Sequence, residues 1–331
     1  MTAEDHGSPA RPKLILVPDE PEAGPEMGPE MGPEMGRVQW RALGPVEVVV
    51  GDELVNLGPP RQRAVFGFLL SRVDRLVAVD ALIDELWSGH PPQAAIAALR
   101  TYVSNLRRVL EPDRAPRARA TVIHTRSPGY LLDSRGVDFD VHTFAAQASA
   151  GREALSRVDS RRAFAAFDAA LKLWRGRAYA DMRDASWIES EVARLEELRL
   201  SVVEGRCEAQ LQLGDHHGAV AELDVHVRSH PLREHGCALL ALALYRAGRQ
   251  VEALALLREN RERLTGELGI DPGAELRQLE RDILAQSETL DWRPQRPAAQ
   301  QPEQPLAPSL PEPSASSAPD GDGAPDTRPA P

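Results

Sequence analysis

The fold is decided by a stretch of two predicted helices, VDALIDELWSGHPPQAAIAALRTYVSNLRRVL, which covers residues 79–110. Asp80 is a favourable N-cap for a first helix that ends near Trp87. Residues 88–92 are rich in Gly and Pro and break this helix, and a longer helix is predicted from Gln93 to about residue 110. Large apolar residues recur in the second helix at intervals of three and four, which predicts one face packed on a core. They are Ile96, Leu99, Val103, Leu106 and Leu110.

The opposite face of the second helix is small, carries almost no charge at its start and ends in Asn and Arg. Its residues are Ala94, Ala97, Ala98, Thr101, Ser104, Asn105 and Arg108. Small side chains let a helix lie deep in the DNA major groove, where Thr can contact thymine and Asn or Arg can pair with purine edges. We therefore expect Thr101, Ser104, Asn105 and Arg108 to read bases, together with Arg100 at the edge of this face. An Ala-rich helix packed beneath another element is the structural alternative.

The flanking residues complete a winged helix-turn-helix pattern. Residues 37–57 are predicted to form short antiparallel strands, 61–72 a helix, 76–79 a strand and 121–133 a β-hairpin with Gly and Pro at its turn. Residues 37–135 are basic in a chain whose net charge is −11, and seven arginines lie between residues 93 and 126. A basic segment with this element order is typical of a DNA-binding module. We expect phosphate contacts from Arg61, Arg63, Arg107, Arg126 and Tyr130.

Residues 136–293 show an almost wholly helical pattern that repeats. Leu213-Gly214-Asp215 recurs as Ala247-Gly248-Arg249 at an offset of 34 residues, the period of tetratricopeptide repeats. A third, degenerate copy is predicted at residues 159–173, with an insertion around residues 179–189. The predicted fold is mainly α with a small α+β domain. It consists of an N-terminal winged helix-turn-helix (37–135) and a tetratricopeptide-like all-α helical repeat domain (136–293).

The composition bounds the remaining possibilities. Residues 1–36, with a threefold Gly-Pro-Glu-Met repeat, and the proline-rich residues 294–331 are predicted to be disordered, because neither segment can bury enough apolar surface to offset ordering entropy. No apolar run is long enough to cross a membrane, and two cysteines exclude a disulfide framework. We expect a cytoplasmic protein that is not an enzyme, with no catalytic residues, no cofactor and no metal site.

Several motifs resemble the Streptomyces antibiotic regulatory protein family. In the first domain they are LGPVEV (43–48), RQRA (61–64), VDALIDELW (79–87), LRTYVSNLRR (99–108) and PGYLL (128–132). In the second they are LWRG (173–176), RLEELRL (194–200), HPLRE (230–234), ALYRAGRQ (243–250) and ELGIDPG (267–273). The resemblance implies an OmpR-type winged helix joined to a bacterial transcriptional activator domain.

The resemblance also implies a function. Such a protein binds direct repeats in double-stranded DNA near promoters, as a homodimer on DNA, and activates a secondary-metabolite (antibiotic) gene cluster. It recruits RNA polymerase holoenzyme through the sigma-factor region, with the loop of Ser88, Gly89 and His90 facing the polymerase. Arg100 departs from the polar residue, such as glutamine, that we expect in relatives. No G-x-x-x-x-G-K-[ST] motif occurs, so the ATPase-bearing branch of the family is not expected.

The alternative function is a protein-interaction scaffold, in which the tetratricopeptide-like repeats bind a peptide and the winged helix is vestigial. The helix face that ends in Asn and Arg lies next to a basic hairpin. This pattern favours DNA binding, because a protein-interaction scaffold does not require such a surface.

Overall fold

The N-terminal region begins with a small sheet. A computed structural model describes residues 38–115, 117–182 and 185–294, so the two ends predicted to be disordered lie outside the described residues, apart from Pro294. Three antiparallel strands come first: β1 (Val38–Arg41), β2 (Glu47–Val50) and β3 (Glu53–Leu54). Trp40 on β1 pairs with Val48 on β2, and both are buried, since alternate residues of a strand face the same side of the sheet.

The helix-turn-helix and the hairpin follow in the predicted order. They consist of α1 (Pro60–Leu70), β4 (Leu76–Ala78), α2 (Val79–Leu86), α3 (Ala95–Leu110), β5 (Ile123–Arg126) and β6 (Gly129–Leu132). Strands β5 and β6 form the hairpin, called the wing below, and β4 joins it in an antiparallel sheet of order β4-β6-β5. Four apolar residues of α3 are buried as expected, namely Leu99, Val103, Leu106 and Leu110.

Two details of the helix pair differ from the sequence-based expectation. Strand β4 runs directly into α2, so Ala78 occupies the N-cap position, and Asp80 lies in the first turn, where its charge favours the helix dipole without capping a backbone N–H. Helix α3 begins at Ala95, and Ile96 in its first turn is 49% exposed. The core position predicted for Ile96 is wrong because Ile96 borders the cleft between α3 and the wing, while Ala95 is buried.

The rest of the described chain is helical, apart from one short strand described below. It contains α4 (Asp140–Ser156), α5 (Ser160–Leu171), α6 (Glu189–Leu213), α7 (His216–Ser229), α8 (Glu234–Arg246), α9 (Gln250–Arg263) and α10 (Ala274–Leu284), with a π-helical turn at Leu264–Leu268. Helices α7 and α9 begin 34 residues apart, which confirms the predicted repeat. The predicted insertion contains two 3₁₀ turns, Ala180–Met182 and Ser186–Ile188. None of the helices within the described ranges is long and apolar enough to span a membrane.

The winged-helix and helical regions are joined by a pair of strands and by hydrogen bonds to a buried carboxylate. Strand β7 (Asp138–Phe139) pairs in parallel with β1, and the Asp140 carboxylate accepts the backbone N–H groups of Ala42 (2.8 and 2.9 Å) and Leu43 (3.0 Å). Burial raises the pKa of Asp140, and the hydrogen bonds from Leu43 and Ala42 oppose this rise. Buried apolar side chains form one continuous cluster from Val38 to Ala209. Because this cluster extends across residues 135 and 136, packing does not separate two domains there, and the predicted domain boundary stays a prediction.

Candidate nucleic-acid interface

Helix α3 presents one polar face to the surface. Arg100, Thr101, Ser104 and Arg108 are exposed on it, and they are called the α3 face below. Ala94 and Ala97 are also exposed at the start of the helix, so small side chains precede the polar ones. The Thr101 hydroxyl donates to the carbonyl oxygen of Ala97 at 3.0 Å, which satisfies that donor within the helix. The structure thus brings four of the five expected base-reading residues together at the surface.

Asn105 is placed differently from the other four. It is half-buried, and its amide nitrogen donates to Gln62 Oε1 at 3.1 Å. Its amide oxygen accepts a hydrogen bond from Arg108 Nη2 at 2.5 Å. Both ends of the Asn105 amide therefore have partners within the protein, because it lies at the junction of α3 with the start of α1.

Of the two wing residues expected to contact phosphates, one is exposed and the other is mostly buried. Arg126 is exposed at the end of β5 and lines a cleft of about 310 Å³ together with Ile96 and Arg100 of α3. Tyr130 is only 7% exposed, since β6 lies in the middle of its sheet and the ring packs inward. Tyr130 nevertheless borders the same cleft, so the phosphate contact predicted for it stays a prediction, while Arg126 is exposed.

Arg107 holds the wing against α3. Its Nε donates to the carbonyl oxygen of Ile123 at 2.9 Å, its Nη2 donates to Thr125 Oγ1 at 2.7 Å, and the guanidinium lies 5.9 Å from the Tyr130 ring centroid. Partial burial lowers the pKa of Arg107 below its usual value. Two of the five N–H donors of Arg107 therefore hold the wing, and the phosphate contact predicted for this residue stays a prediction.

The two arginines at the start of α1 point to different neighbours. Arg61 is exposed and its guanidinium lies 5.6 Å from the Trp87 ring centroid, next to the end of α2. Arg63 forms an ion pair with Asp181 of the helical region, and Asp181 also accepts the backbone N–H of Val46 at 2.9 Å. This ion pair turns Arg63 toward the junction between the two regions, and the phosphate contact predicted for Arg63 stays a prediction.

The loop between α2 and α3 lies at the surface. Ser88, Gly89 and His90 are exposed, and Gly89 adopts a φ of 76°, a left-handed conformation that suits glycine. Its backbone N–H donates to the carbonyl oxygen of Asp84 at 2.8 Å, which ends α2 in a defined turn. His90 Nδ1 lies 2.9 Å from the Ser88 carbonyl oxygen. The loop that the family resemblance assigns to polymerase is thus ordered and accessible.

Sequence reasoning missed two buried polar residues near this surface. Gln62 is 3% exposed and connects α1 to Asn105. Glu111 is 6% exposed, and its Oε1 accepts the backbone N–H groups of Thr121 (2.5 Å) and Val122 (2.8 Å), which fixes the segment that leads into β5. Gln62 lies between two arginines and Glu111 begins a polar loop, so in the sequence both residues resemble ordinary surface polar groups. Only the fold reveals their partners.

Comparisons with known proteins agree with this architecture. The family model described as "Transcriptional regulatory protein, C terminal" matches residues 52–132, and "Bacterial transcriptional activator domain" matches residues 139–284. Regulatory protein DnrI of Streptomyces peucetius is 37% identical over 266 residues, which cover 79% of this chain and 98% of DnrI. Regulatory protein AfsR of Streptomyces griseus is 38% identical over 256 residues, which cover 76% of this chain and 25% of AfsR. The chain thus spans about a quarter of the length of AfsR.

A solved structure is also similar. Mycobacterium tuberculosis EmbR in complex with a low affinity phosphopeptide has a TM-score of 0.71 and 35% identity, over 76% of this chain and 66% of that one. The fold and the family models together define a winged-helix transcriptional regulator with a bacterial transcriptional activator domain. The chain belongs to the Streptomyces antibiotic regulatory protein family, as the sequence motifs indicated.

Proposed function

We propose that this protein is a sequence-specific DNA-binding activator of a secondary-metabolite gene cluster, which binds direct repeats upstream of promoters. The observation that carries the proposal is the α3 face, which lies beside Arg126 of the wing across one cleft. Exposed Ala94 and Ala97 let the first turns of α3 approach base edges, and Arg side chains can form paired hydrogen bonds with guanine. A basic surface beside a hairpin fits duplex DNA.

Phosphate contacts are proposed for Arg61 and Arg126. Arg61 lies in the first turn of α1, where Pro60 supplies no backbone N–H and the following N–H groups favour an anion. Arg126 is exposed at the end of β5 and borders the same cleft as Arg100 of the α3 face. Phosphate contacts from two different elements fix the register of a recognition helix in the groove but carry no sequence information.

The helical region and the α2–α3 loop are proposed to contact proteins. Residues 136–293 carry a net charge of −6, which repels DNA, so this region is proposed to contact a second protomer or RNA polymerase and not the duplex. The exposed loop of Ser88, Gly89 and His90 is the surface proposed to meet the sigma-factor region of the holoenzyme. A homodimer on DNA then places two winged helices on tandem half-sites about one helical turn apart, roughly 10–11 bp.

A gel shift followed by footprinting tests the proposal. The probes are DNA fragments from upstream regions in the gene's own neighbourhood, with an unrelated fragment of equal length as control. We expect a protected region that contains two direct repeats, and we expect Ser104→Arg, which places a bulky side chain on the α3 face, to abolish the protection. Equal binding to every fragment by the wild-type protein would contradict sequence-specific recognition.

A protein-interaction scaffold is the second candidate function. A groove of about 540 Å³ between α7, α8 and α9 supports it, with an apolar floor that includes Val220, Leu240 and Leu244. Charged side chains of both signs border this groove, among them Asp224 and Arg249. A scaffold without DNA binding predicts no footprint on any upstream fragment, so the same experiment separates the two functions.

A further inference from the structure

Gln62 is a buried amide whose two ends are both bonded. It lies in the first turn of α1 and is 3% exposed. Its Nε2 donates to the carbonyl oxygen of Leu57 at 2.8 Å, and its Oε1 accepts from Asn105 Nδ2 at 3.1 Å. Gly58 leaves room for it, since a Cβ there would lie 2.6 Å from Gln62 Nε2. A buried amide is costly unless its donor and acceptor are both satisfied, so this side chain is held in one orientation.

Asn105 extends the same chain of hydrogen bonds to the protein surface. Its oxygen accepts from Arg108 Nη2, one turn further along α3. The guanidinium of an arginine can only donate and a backbone carbonyl can only accept. The direction of every bond between Arg108 and the Leu57 carbonyl is therefore fixed: Arg108 donates to Asn105, Asn105 donates to Gln62, and Gln62 donates to Leu57.

The arrangement changes the role expected for Asn105. A base-reading asparagine presents its free amide to the N6 and N7 positions of adenine. Here the nitrogen and the oxygen of Asn105 are each engaged, and the side chain is half-buried. Arg108 is exposed and uses one of its five N–H donors on Asn105, which leaves the others for the O6 and N7 acceptors of a guanine.

We propose that Gln62 and Asn105 are positioning residues that aim the Arg108 guanidinium at a guanine in the DNA major groove. The proposal rests on the proposed function, because it requires that the α3 face reads DNA. The hydrogen bonds from Arg108 through Asn105 and Gln62 are called the relay below. Without the relay, Arg108 remains on the surface but samples many rotamers, so its contribution to base discrimination falls while its charge still attracts DNA. Gln62, which touches no base, then determines specificity at one base pair.

The test replaces single atoms of the DNA. In the footprinted site, each guanine is changed in turn to 7-deazaguanine, which lacks the N7 acceptor, and the Kd is measured by fluorescence anisotropy. Wild-type protein is expected to lose about 5- to 150-fold in affinity at the guanine that Arg108 reads, and Arg108→Ala is expected to be insensitive there. Gln62→Met, which keeps the side-chain length but removes both bonds, and Asn105→Ala are expected to lose sensitivity at that same guanine only.

Matched controls and a double variant distinguish loss of the relay from a general loss of DNA binding. Arg100→Ala, outside the relay, is expected to leave the sensitivity at the Arg108 guanine intact. Asn105→Ala combined with Arg108→Ala is expected to behave like Arg108→Ala alone, because the two residues act on one base. Circular dichroism and melting temperature check the fold of each variant. If the Gln62→Met variant does not fold, Asn105→Ala alone tests the proposal, and it is still expected to lose sensitivity at the guanine that Arg108 reads.

Three results would overturn the proposal. The first is that Asn105→Ala abolishes discrimination at an adenine elsewhere in the site, which would make Asn105 a base reader. The second is that Gln62→Met and Asn105→Ala leave every guanine sensitivity unchanged. The third is that Arg108→Ala weakens binding to all sequences alike, as a phosphate contact does. If wild-type protein shows no specific site, the proposed function fails and the relay fails with it, whereas failure of the variants alone leaves the function standing.

Discussion

The buried carboxylate of Glu204 is expected to contribute strongly to the stability of the helical region. It lies on α6, and its side chain is 5% exposed. Arg233 donates to both of its oxygens, at 2.8 and 2.9 Å, and His226 Nε2 on α7 lies 3.1 Å from Oε1. This cluster joins α6, α7 and the segment before α8. Glu204→Gln keeps the shape but removes the charge that these donors require.

The magnitude follows from the ionisation of Glu204. Burial alone raises the pKa of Glu204, but the hydrogen bonds from Arg233 and His226 outweigh it and bring the pKa from 4.5 to about 2. This lowering corresponds to about 3 kcal/mol of folding free energy at neutral pH. Because the folded pKa is depressed, the contribution is complete above pH 4.5 and is lost as the pH falls toward 2. We expect Glu204→Gln to be about 3 kcal/mol less stable than wild type at pH 6.

Urea denaturation followed by circular dichroism measures this difference at pH 6 and at pH 3. The gap between wild type and Glu204→Gln should shrink by about 2 kcal/mol at pH 3, because Glu204 is then mostly protonated in the unfolded wild-type chain and must release that proton when the chain folds. Glu252→Gln is the control, because Glu252 pairs with Arg249 at the surface and its loss is expected to be small. A gap that stays constant with pH would refute the assignment of stability to the ionised Glu204.

The remaining predictions concern the DNA face and the junction. Arg126→Ala should weaken binding to all DNA sequences alike and lower the magnitude of the slope of log K against log salt by roughly one, as measured by salt titration. Arg63→Ala should leave that slope unchanged and lower the free energy of unfolding in urea by about 1 kcal/mol or less, because Arg63 pairs with Asp181. A slope of smaller magnitude would show that Arg63 contacts a phosphate. His90→Ala should bind DNA normally and lower the yield of in vitro transcription with RNA polymerase, whereas normal transcription would remove the loop from the polymerase contact.

The sequence was sufficient for features that depend on neighbours along the chain. Helix periodicity locates α3, Gly and Pro locate the turn of the wing, and the 34-residue offset locates α7 and α9. Each of these signals is local, because a helix face or a turn is specified by residues within a few positions of one another. The exposed residues of the α3 face were found for the same reason.

The contacts that sequence analysis did not predict depend on distant partners. Arg63 and Asp181 are 118 residues apart, and Gln62 and Asn105 are 43 residues apart. Tyr130 is buried because β4, from a remote part of the sequence, pairs with its strand. An arginine or tyrosine beside other basic residues has the same local pattern whether it meets a phosphate or a protein partner, so only the tertiary structure separates these cases.

The central claim is that the α3 face and the wing recognise a DNA sequence, and one ratio of affinities tests it most directly. Fluorescence anisotropy gives the Kd of full-length protein for the footprinted direct repeat and for a scrambled duplex of equal length and composition, both at 150 mM salt. Specific recognition predicts that the direct repeat binds at least about 10³-fold more tightly. Equal dissociation constants for the two duplexes would contradict the claim, since phosphate contacts alone do not distinguish them.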